Sequence, residues 1–276
     1  MNITQNIGIR ICGTGSSVPT RTVTNDDMAT IVETSDEWIS TRTGISERHF
    51  ADQETNLSLG TEAAEKAIAM AGIPREEIGV VICATITPDN IVPSQACLLQ
   101  KSLGLTEQIF AFDICAACTG FLYAMHTARS LLCTMPEKKY ALVVASELLS
   151  RVTNFADRNT CVLFGDGAGA AVVECRAGWP SISAQLGCTG NDQILRIPGA
   201  RLEEPPLIAM DGRGVFRFAV ETVPRCVKQV LQQRGYTVDE IDCFVFHQAN
   251  ARITDLAAHK LGIPPEKYYK NIDHYG

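Results

Sequence analysis

Ala71-Gly72-Ile73-Pro74-Arg75-Glu76-Glu77-Ile78-Gly79-Val80-Val81-Ile82-Cys83 decides how this chain folds, because its pattern returns 163 residues later. The second copy reads Arg234-Gly235-Tyr236-Thr237-Val238-Asp239-Glu240-Ile241-Asp242-Cys243-Phe244-Val245-Phe246. Each copy follows an amphipathic helical pattern, from Ala63 in the first case and Cys226 in the second. Each then has a glycine at the position of a helix C-cap, an acidic pair that opens a turn, and an apolar run of strand length. A repeat this long is not a solenoid. It suggests a duplicated α/β domain with buried strands and helices on both faces. Two helix–turn–strand units that resemble each other by chance are the alternative at this point.

The division that follows is an N-terminal half, 1–175, and a C-terminal half, 176–276. The first copy continues through an apolar run ending at Ile114, a helix after Cys118, a strand over 140–145 and a run over 164–173. Mapped forward, the counterpart of Cys118 falls beyond Gly276. The second copy is therefore expected to be incomplete, short by about 60 residues if the copies are equal, and the chain is expected to be truncated at its C-terminus.

Composition narrows the class. The 276 residues are 46% hydrophobic and 20% charged, globular proportions with enough apolar material for a large core. A net charge of −7 gives no general attraction to nucleic acid or anionic lipid, although a local basic patch is compatible with it. Eleven cysteines without a regular spacing, several in apolar runs (Cys83, Cys115, Cys243), read as reduced core residues of a cytoplasmic protein. The first six residues lack a signal-peptide pattern, and no apolar run is long enough to span a membrane.

Two residues stand out chemically. Ile109-Phe110-Ala111-Phe112-Asp113-Ile114 runs into Cys115-Ala116-Ala117-Cys118-Thr119-Gly120-Phe121, which opens a helical pattern. This places Cys118 on the first turn of a helix, where the partial positive charge favours a thiolate. His247 closes the buried run 241–246 and precedes Gln248-Ala249-Asn250-Ala251-Arg252-Ile253, the start of another helix. Strand ends of this kind line the crevices of α/β proteins. Two of them meeting at a pseudo-twofold axis would bring thiol and imidazole together for covalent acyl chemistry. From spacing alone, a satisfied core histidine beside a buried cysteine is the stronger reading.

Other motifs carry less. Cys115 and Cys118 form a lone Cys-x-x-Cys, which also suits a thiol–disulfide oxidoreductase. No His-Glu-x-x-His or second cysteine pair exists, so no metal site is expected. Phe164-Gly165-Asp166-Gly167-Ala168-Gly169 is followed by a β-like run rather than the helix that a dinucleotide fingerprint requires.

Four segments together resemble the β-ketoacyl-[acyl-carrier-protein] synthase III family: Asp36-Glu37-Trp38-Ile39-Ser40-Thr41-Arg42-Thr43-Gly44-Ile45, Ala116-Ala117-Cys118-Thr119-Gly120-Phe121, the glycine run from Phe164, and His247-Gln248-Ala249-Asn250-Ala251-Arg252-Ile253. The resemblance implies the thiolase fold, a duplicated α/β domain in five layers, α-β-α-β-α. It makes Cys118 the acyl-accepting nucleophile and His247 the catalytic histidine. Trp38, Arg42 and Arg158 resemble the positions holding the adenine and phosphate end of coenzyme A, and Phe216 a position on the pantetheine tunnel. Asn250 joins this substrate-binding set as a support for the site. Arg252 resembles a carrier-protein contact, which Arg217 and Lys260 extend into a local basic patch facing an acidic partner. Val92 occupies a position near the partner subunit's acyl pocket, and its small side chain suggests longer or branched primers.

The implied reaction initiates fatty acid synthesis. An acyl-CoA acylates Cys118, malonyl-carrier protein loses CO2, and the enolate attacks the acyl-enzyme. No metal or redox cofactor takes part, coenzyme A being a substrate carrier, and a homodimer is expected. The family's third catalytic residue, an asparagine in Gly-Asn-Thr/Ser, would be the residue after Gly276, so this chain is expected to condense poorly although Cys118 still reacts. The alternatives are a related condensing enzyme of secondary metabolism with another acyl acceptor, an inactive fragment and, more distantly, the oxidoreductase.

Overall fold

A strand covered on both faces needs no polar alternation, and Ile78–Ala84 has none: all seven residues are buried. The computed structural model describes residues 7–135, 137–179, 182–199 and 204–276. Residues 1–6, read above for a signal peptide, lie outside them. Along the chain run the strands β1 (Ile7–Ser17), β2 (Thr22–Thr24), β3 (Glu47–His49), β4 (Ile78–Ala84), β5 (Phe110–Ile114), β6 (Tyr140–Leu148), β7 (Asp166–Ala177), β8 (Leu195–Arg196) and β9 (Ala209–Met210). The helices are α1 (Asn25–Ala29), α2 (Asp36–Thr43), α3 (Asn56–Ala71), α4 (Gln95–Ser102), α5 (Gly120–Leu132), α6 (Arg158–Cys161), α7 (Gly212–Arg234), α8 (Ala251–Leu261) and α9 (Ile272–Tyr275). Of the described residues, those within 7–20, 51–148 and 166–182 form one compact unit and those within 21–50, 149–165 and 183–276 the other.

The first unit is built on a five-stranded sheet in the order β1-β7-β6-β4-β5. β6, β4 and β5 run parallel, while β7 is antiparallel to both of its neighbours. α3 lies on one face, where Leu59, Ala63, Ala67 and Ile68 meet Val81, Leu142, Val144 and Val172. α5 covers the other with Ala124, Ala128 and Leu132 against Val80, Ile82 and Val143. The i, i+4, i+8 spacing of those α5 residues is the helical stripe expected of a sheet-covering helix. Thr55 caps α3 in a reciprocal capping box with Ser58, and Gly72 ends it in the left-handed conformation.

The second unit holds the antiparallel ribbon β2–β3 beside a core of Met28, Ile39, Ile45, Phe50, Cys161, Val162 and Ile272. Arg48, fully buried in this unit, donates to the carbonyls of Val23 (3.1 Å) and Val162 (3.0 Å). Burial pushes its guanidinium down to about 10. α7 and α8 pack with Phe244, Ile263 and Tyr268 in a small separate core.

The repeat is present up to its last element. α3, Gly72, the 3-10 turn Arg75–Glu77 and β4 have as counterparts α7, Gly235 (φ 70°) and the 3-10 turn Val238–Glu240. The second strand is absent. Residues 243–246 make one parallel bridge, Phe244 to Tyr268, through hydrogen bonds from Phe244 N–H to Lys267 O (2.7 Å) and from Tyr269 N–H to Phe244 O (3.4 Å). With one bridge in place of two ladders, Phe244 is buried but Cys243 and Val245 are exposed. The expectation that Cys115 and Cys243 are core residues is therefore corrected. Cys115 lies beyond the last paired residue of β5 and is exposed, whereas Cys83, inside β4, is buried.

Candidate active site

The thiol turn follows β5 directly. Ala84, the last residue of β4, is paired with Ile114, the last of β5, so these two strands end together, while the neighbouring β6 runs on to Leu148. The chain then turns sharply: Ala117 takes φ +43°, a conformation a residue with a Cβ adopts only under constraint. Cys118 is exposed on the 3-10 turn Ala117–Thr119 that follows. It thus stands one turn ahead of the place expected, before the N-cap Thr119 rather than within α5. The Thr119 hydroxyl donates back to Ala116 O (2.9 Å) and does not cap α5, whose first amide, that of Gly120, donates to Ala117 O instead. Gly120 allows the turn to sit this low, since a Cβ there would lie 3.0 Å from the Ala84 Cβ.

At the exit of β4 lies a polar cluster that the sequence motifs did not single out. Glu147, near the end of β6, accepts the Ile86 N–H (2.8 Å), the Thr87 N–H (3.1 Å), the Thr85 hydroxyl (3.2 Å) and the Thr87 hydroxyl. Burial pushes its carboxyl up, opposed by the hydrogen bonds from Thr87, Ile86 and Thr85. Asn56, fully buried, donates to Ser146 O (2.7 Å) and Thr87 O (3.0 Å). The signal available beforehand was Ser146-Glu147 interrupting an apolar strand, together with Thr85-Ile86-Thr87 closing another.

His247, in the second unit, is exposed on the connection between Phe246 and α8. Its neighbour Gln248 holds that connection, donating to Phe246 O and Tyr269 O (both 3.1 Å) and accepting from Asn271 N–H (3.3 Å). Asn250 caps α8 by accepting from Arg252 N–H (2.8 Å), while its amide donates to Arg42 O (3.0 Å). The C-terminus of α2 can meet α8 here because position 44 has no side chain, as a Cβ on Gly44 would lie 2.5 Å from that of Ala251.

Trp38, half-buried on α2, brings the predicted nucleotide residues together. The Arg42 guanidinium lies 4.6 Å from its ring centroid and that of Arg158 4.7 Å. Arg158 also donates to Glu33 O (3.1 Å), fixing its reach. The result is a flat aromatic surface with two fixed cations, chemistry suited to a purine and a phosphate. Phe216 on α7 lies 5.9 Å from the guanidinium of Arg252, and Arg217 is exposed beside it. Lys260 donates to Val220 O (3.0 Å) and lines an open depression with Arg225, Lys228 and Glu221. Val92, in the first unit, is 84% exposed.

A model of 3-oxoacyl-[acyl-carrier-protein (ACP)] synthase III matches residues 112–190, and a model of the C-terminal part of that enzyme matches residues 231–276. The chain is 44% identical over 278 residues to the β-ketoacyl-[acyl-carrier-protein] synthase III of Clostridium acetobutylicum, covering 97% of this chain and 85% of that protein. The crystal structure of 3-oxoacyl-[acyl-carrier-protein] synthase III from Aquifex aeolicus VF5 superposes with a TM-score of 0.90 at 42% identity, covering 98% of this chain and 86% of that one. The priming β-ketosynthase of the R1128 polyketide pathway is 33% identical with a TM-score of 0.89, over 100% of this chain and 85% of that one. The fold is the thiolase fold of these enzymes.

Proposed function

This chain belongs to the β-ketoacyl-[acyl-carrier-protein] synthase III family, the acyltransferases whose condensation initiates fatty acid synthesis, and from that premise we propose how its own residues divide the work. Cys118 attacks an acyl-CoA thioester, coenzyme A departs as the thiol, and the acyl group stays on sulfur. His247 then donates a hydrogen bond to the thioester oxygen of malonyl-carrier protein. This stabilises the enolate left when CO2 departs. The enolate carbon attacks the acyl-enzyme, releasing 3-ketoacyl-carrier protein and the Cys118 thiolate. No step requires a metal or a redox cofactor.

The observation that carries this reading is the thiol turn: an exposed cysteine on a constrained backbone, between the end of a parallel sheet and an uncapped helix start. The Arg42–Trp38–Arg158 group supports a nucleotide-bearing acyl donor, with Asn250 holding Arg42 and Phe216 beside the pantetheine. The exposed cations Arg217, Arg252 and Lys260 support an acidic carrier protein as the second substrate. Val92 lines the acyl pocket of a partner copy. The homodimer is supported by edge strand β5, whose Phe110 is 50% exposed, and by exposed Ile91 and Leu122. The reactive thiol and ten further cysteines fit the reducing cytoplasm. The two halves, 1–175 and 176–276, are proposed as copies of one unit on the recurring helix, left-handed glycine and 3-10 turn.

The test is peptide mapping by mass spectrometry after incubation with acetyl-CoA, followed by malonyl-carrier protein. The expected result is an acetyl adduct on Cys118, and decarboxylation that falls by about 10²–10³-fold in His247→Ala while the adduct still forms. An adduct confined to Cys115 would overturn the assignment.

A further inference from the structure

We propose that Glu147 is a positioning residue for the nucleophile, its carboxylate fixing residues 85–87 and with them the floor on which the Cys118 turn rests. The proposal rests on the reading of Cys118 as the acyl acceptor.

The geometry leads from carboxylate to thiol in short steps. Two successive backbone amides, those of Ile86 and Thr87, point at one carboxylate, which sets the planes of both peptides. The Thr87 hydroxyl also accepts the Leu148 N–H (2.9 Å), closing a ring between the exit of β4 and the strand carrying Glu147. Thr85 N–H donates to Ile114 O (3.2 Å), the last residue of β5 before the thiol turn. Ala84, one residue earlier, lies directly under Gly120. A displacement of 85–87 therefore reaches the turn both through Ile114, from which it departs, and through Ala84, on which it lands.

The choice of residue argues against packing alone. No lysine or arginine is among the hydrogen-bond partners of Glu147 within the described residues. A carboxylate placed so, without a cation, carries a desolvation penalty that an apolar side chain would avoid. What it offers in return is acceptors only, matching four converging donors with no donor of its own to oppose them. Glutamine would turn an NH2 toward at least one of those donors. A fixed peptide floor matters most where small misplacements of a reacting atom are expensive.

The experiment is single-turnover acylation of Cys118 in the 276-residue chain at increasing acetyl-CoA, read by intact mass. In Glu147→Gln the limiting rate is expected to fall about 10- to 100-fold, with the half-saturating acetyl-CoA concentration unchanged. Glu147→Asp should recover part of the rate. Alkylation of buried Cys83 reports the fold in each variant and should stay as slow as in the parent chain. Where Glu147→Gln exposes Cys83, Thr87→Val takes its place, with a limiting rate expected about tenfold lower. A parental limiting rate in whichever of these variants is folded overturns the proposal, as does a parallel change in rate and half-saturation. If the parent chain gains no adduct on Cys118, the nucleophile assignment falls and this proposal with it. If the parent is acylated and the folded variant equally so, only the role of Glu147 falls.

Discussion

The exits from β4 and from residues 243–246 begin with matching sequence signals and are held by opposite means. Ala84 and His247 occupy the same position in the repeat, 163 residues apart. β4 ends inside a sheet with a parallel neighbour on each side, and its exit is clamped by Glu147 and Asn56. Residues 243–246 have a single bridge, and their exit is held by the carboxamides of Gln248 and Asn250 in a more solvated setting. An apolar run thus becomes a strand only where neighbours complete its ladders. Where they do not, side-chain amides take over the backbone's unmet hydrogen bonds.

The largest effect expected at either exit is chemical. Cys118→Ala should lower acyl transfer by about 10⁴-fold or more, the range seen when a nucleophile is removed. Cys115→Ala, three residues away and also exposed, should leave it nearly unchanged. Intact-mass kinetics with acetyl-CoA separates the two. Equal losses would mean that the turn tolerates no change, and the contrast between nucleophile and neighbour would collapse.

Next in size is the packing of β4. Ile82 is fully buried between α5 and the sheet. Ile82→Ala should destabilise the first unit by about 2–5 kcal/mol, read from urea unfolding. A smaller effect belongs to the nucleotide group. Arg158→Ala removes both the contact with Trp38 and the anchor on Glu33. It should raise the half-saturating acyl-CoA concentration about tenfold while leaving the limiting acylation rate unchanged, the sign of binding lost equally from ground and transition states.

The contrast between the exits also explains what the sequence could reveal. β4 was legible because a run buried on both faces is apolar at every position, and the helix with its glycine cap was legible in both copies. The thiol turn was legible as a junction, but the +43° of Ala117 was not, because alanine carries no signal for the left-handed region. Nor was the pairing of Arg42 and Arg158 on Trp38 readable from spacing, since the two arginines are 116 residues apart; it came from family resemblance. No strand forms at 243–246 because its apolar residues report a capacity to pair, and pairing depends on segments elsewhere. Glu147 carries no signal of burial in the sequence because one charge at the end of a strand ordinarily faces water, and only the convergence of Thr85, Ile86 and Thr87 shows that this one does not.

The smallest expected effect closes the comparison from the other side. Val245 corresponds in the repeat to Ile82, yet it is 80% exposed whereas Ile82 is fully buried. Its side chain loses little contact with water on folding, so Val245→Ser should change stability by no more than about 0.5 kcal/mol in the same urea experiment. Removal of an apolar group from solvent neither opens a cavity nor strands a polar atom, the two routes by which a single substitution becomes severe. A loss at Val245 approaching that at Ile82 would mean that residues 243–246 bury this face in solution, against a second copy or another protein. The single bridge would then understate the pairing of the segment that leads to His247.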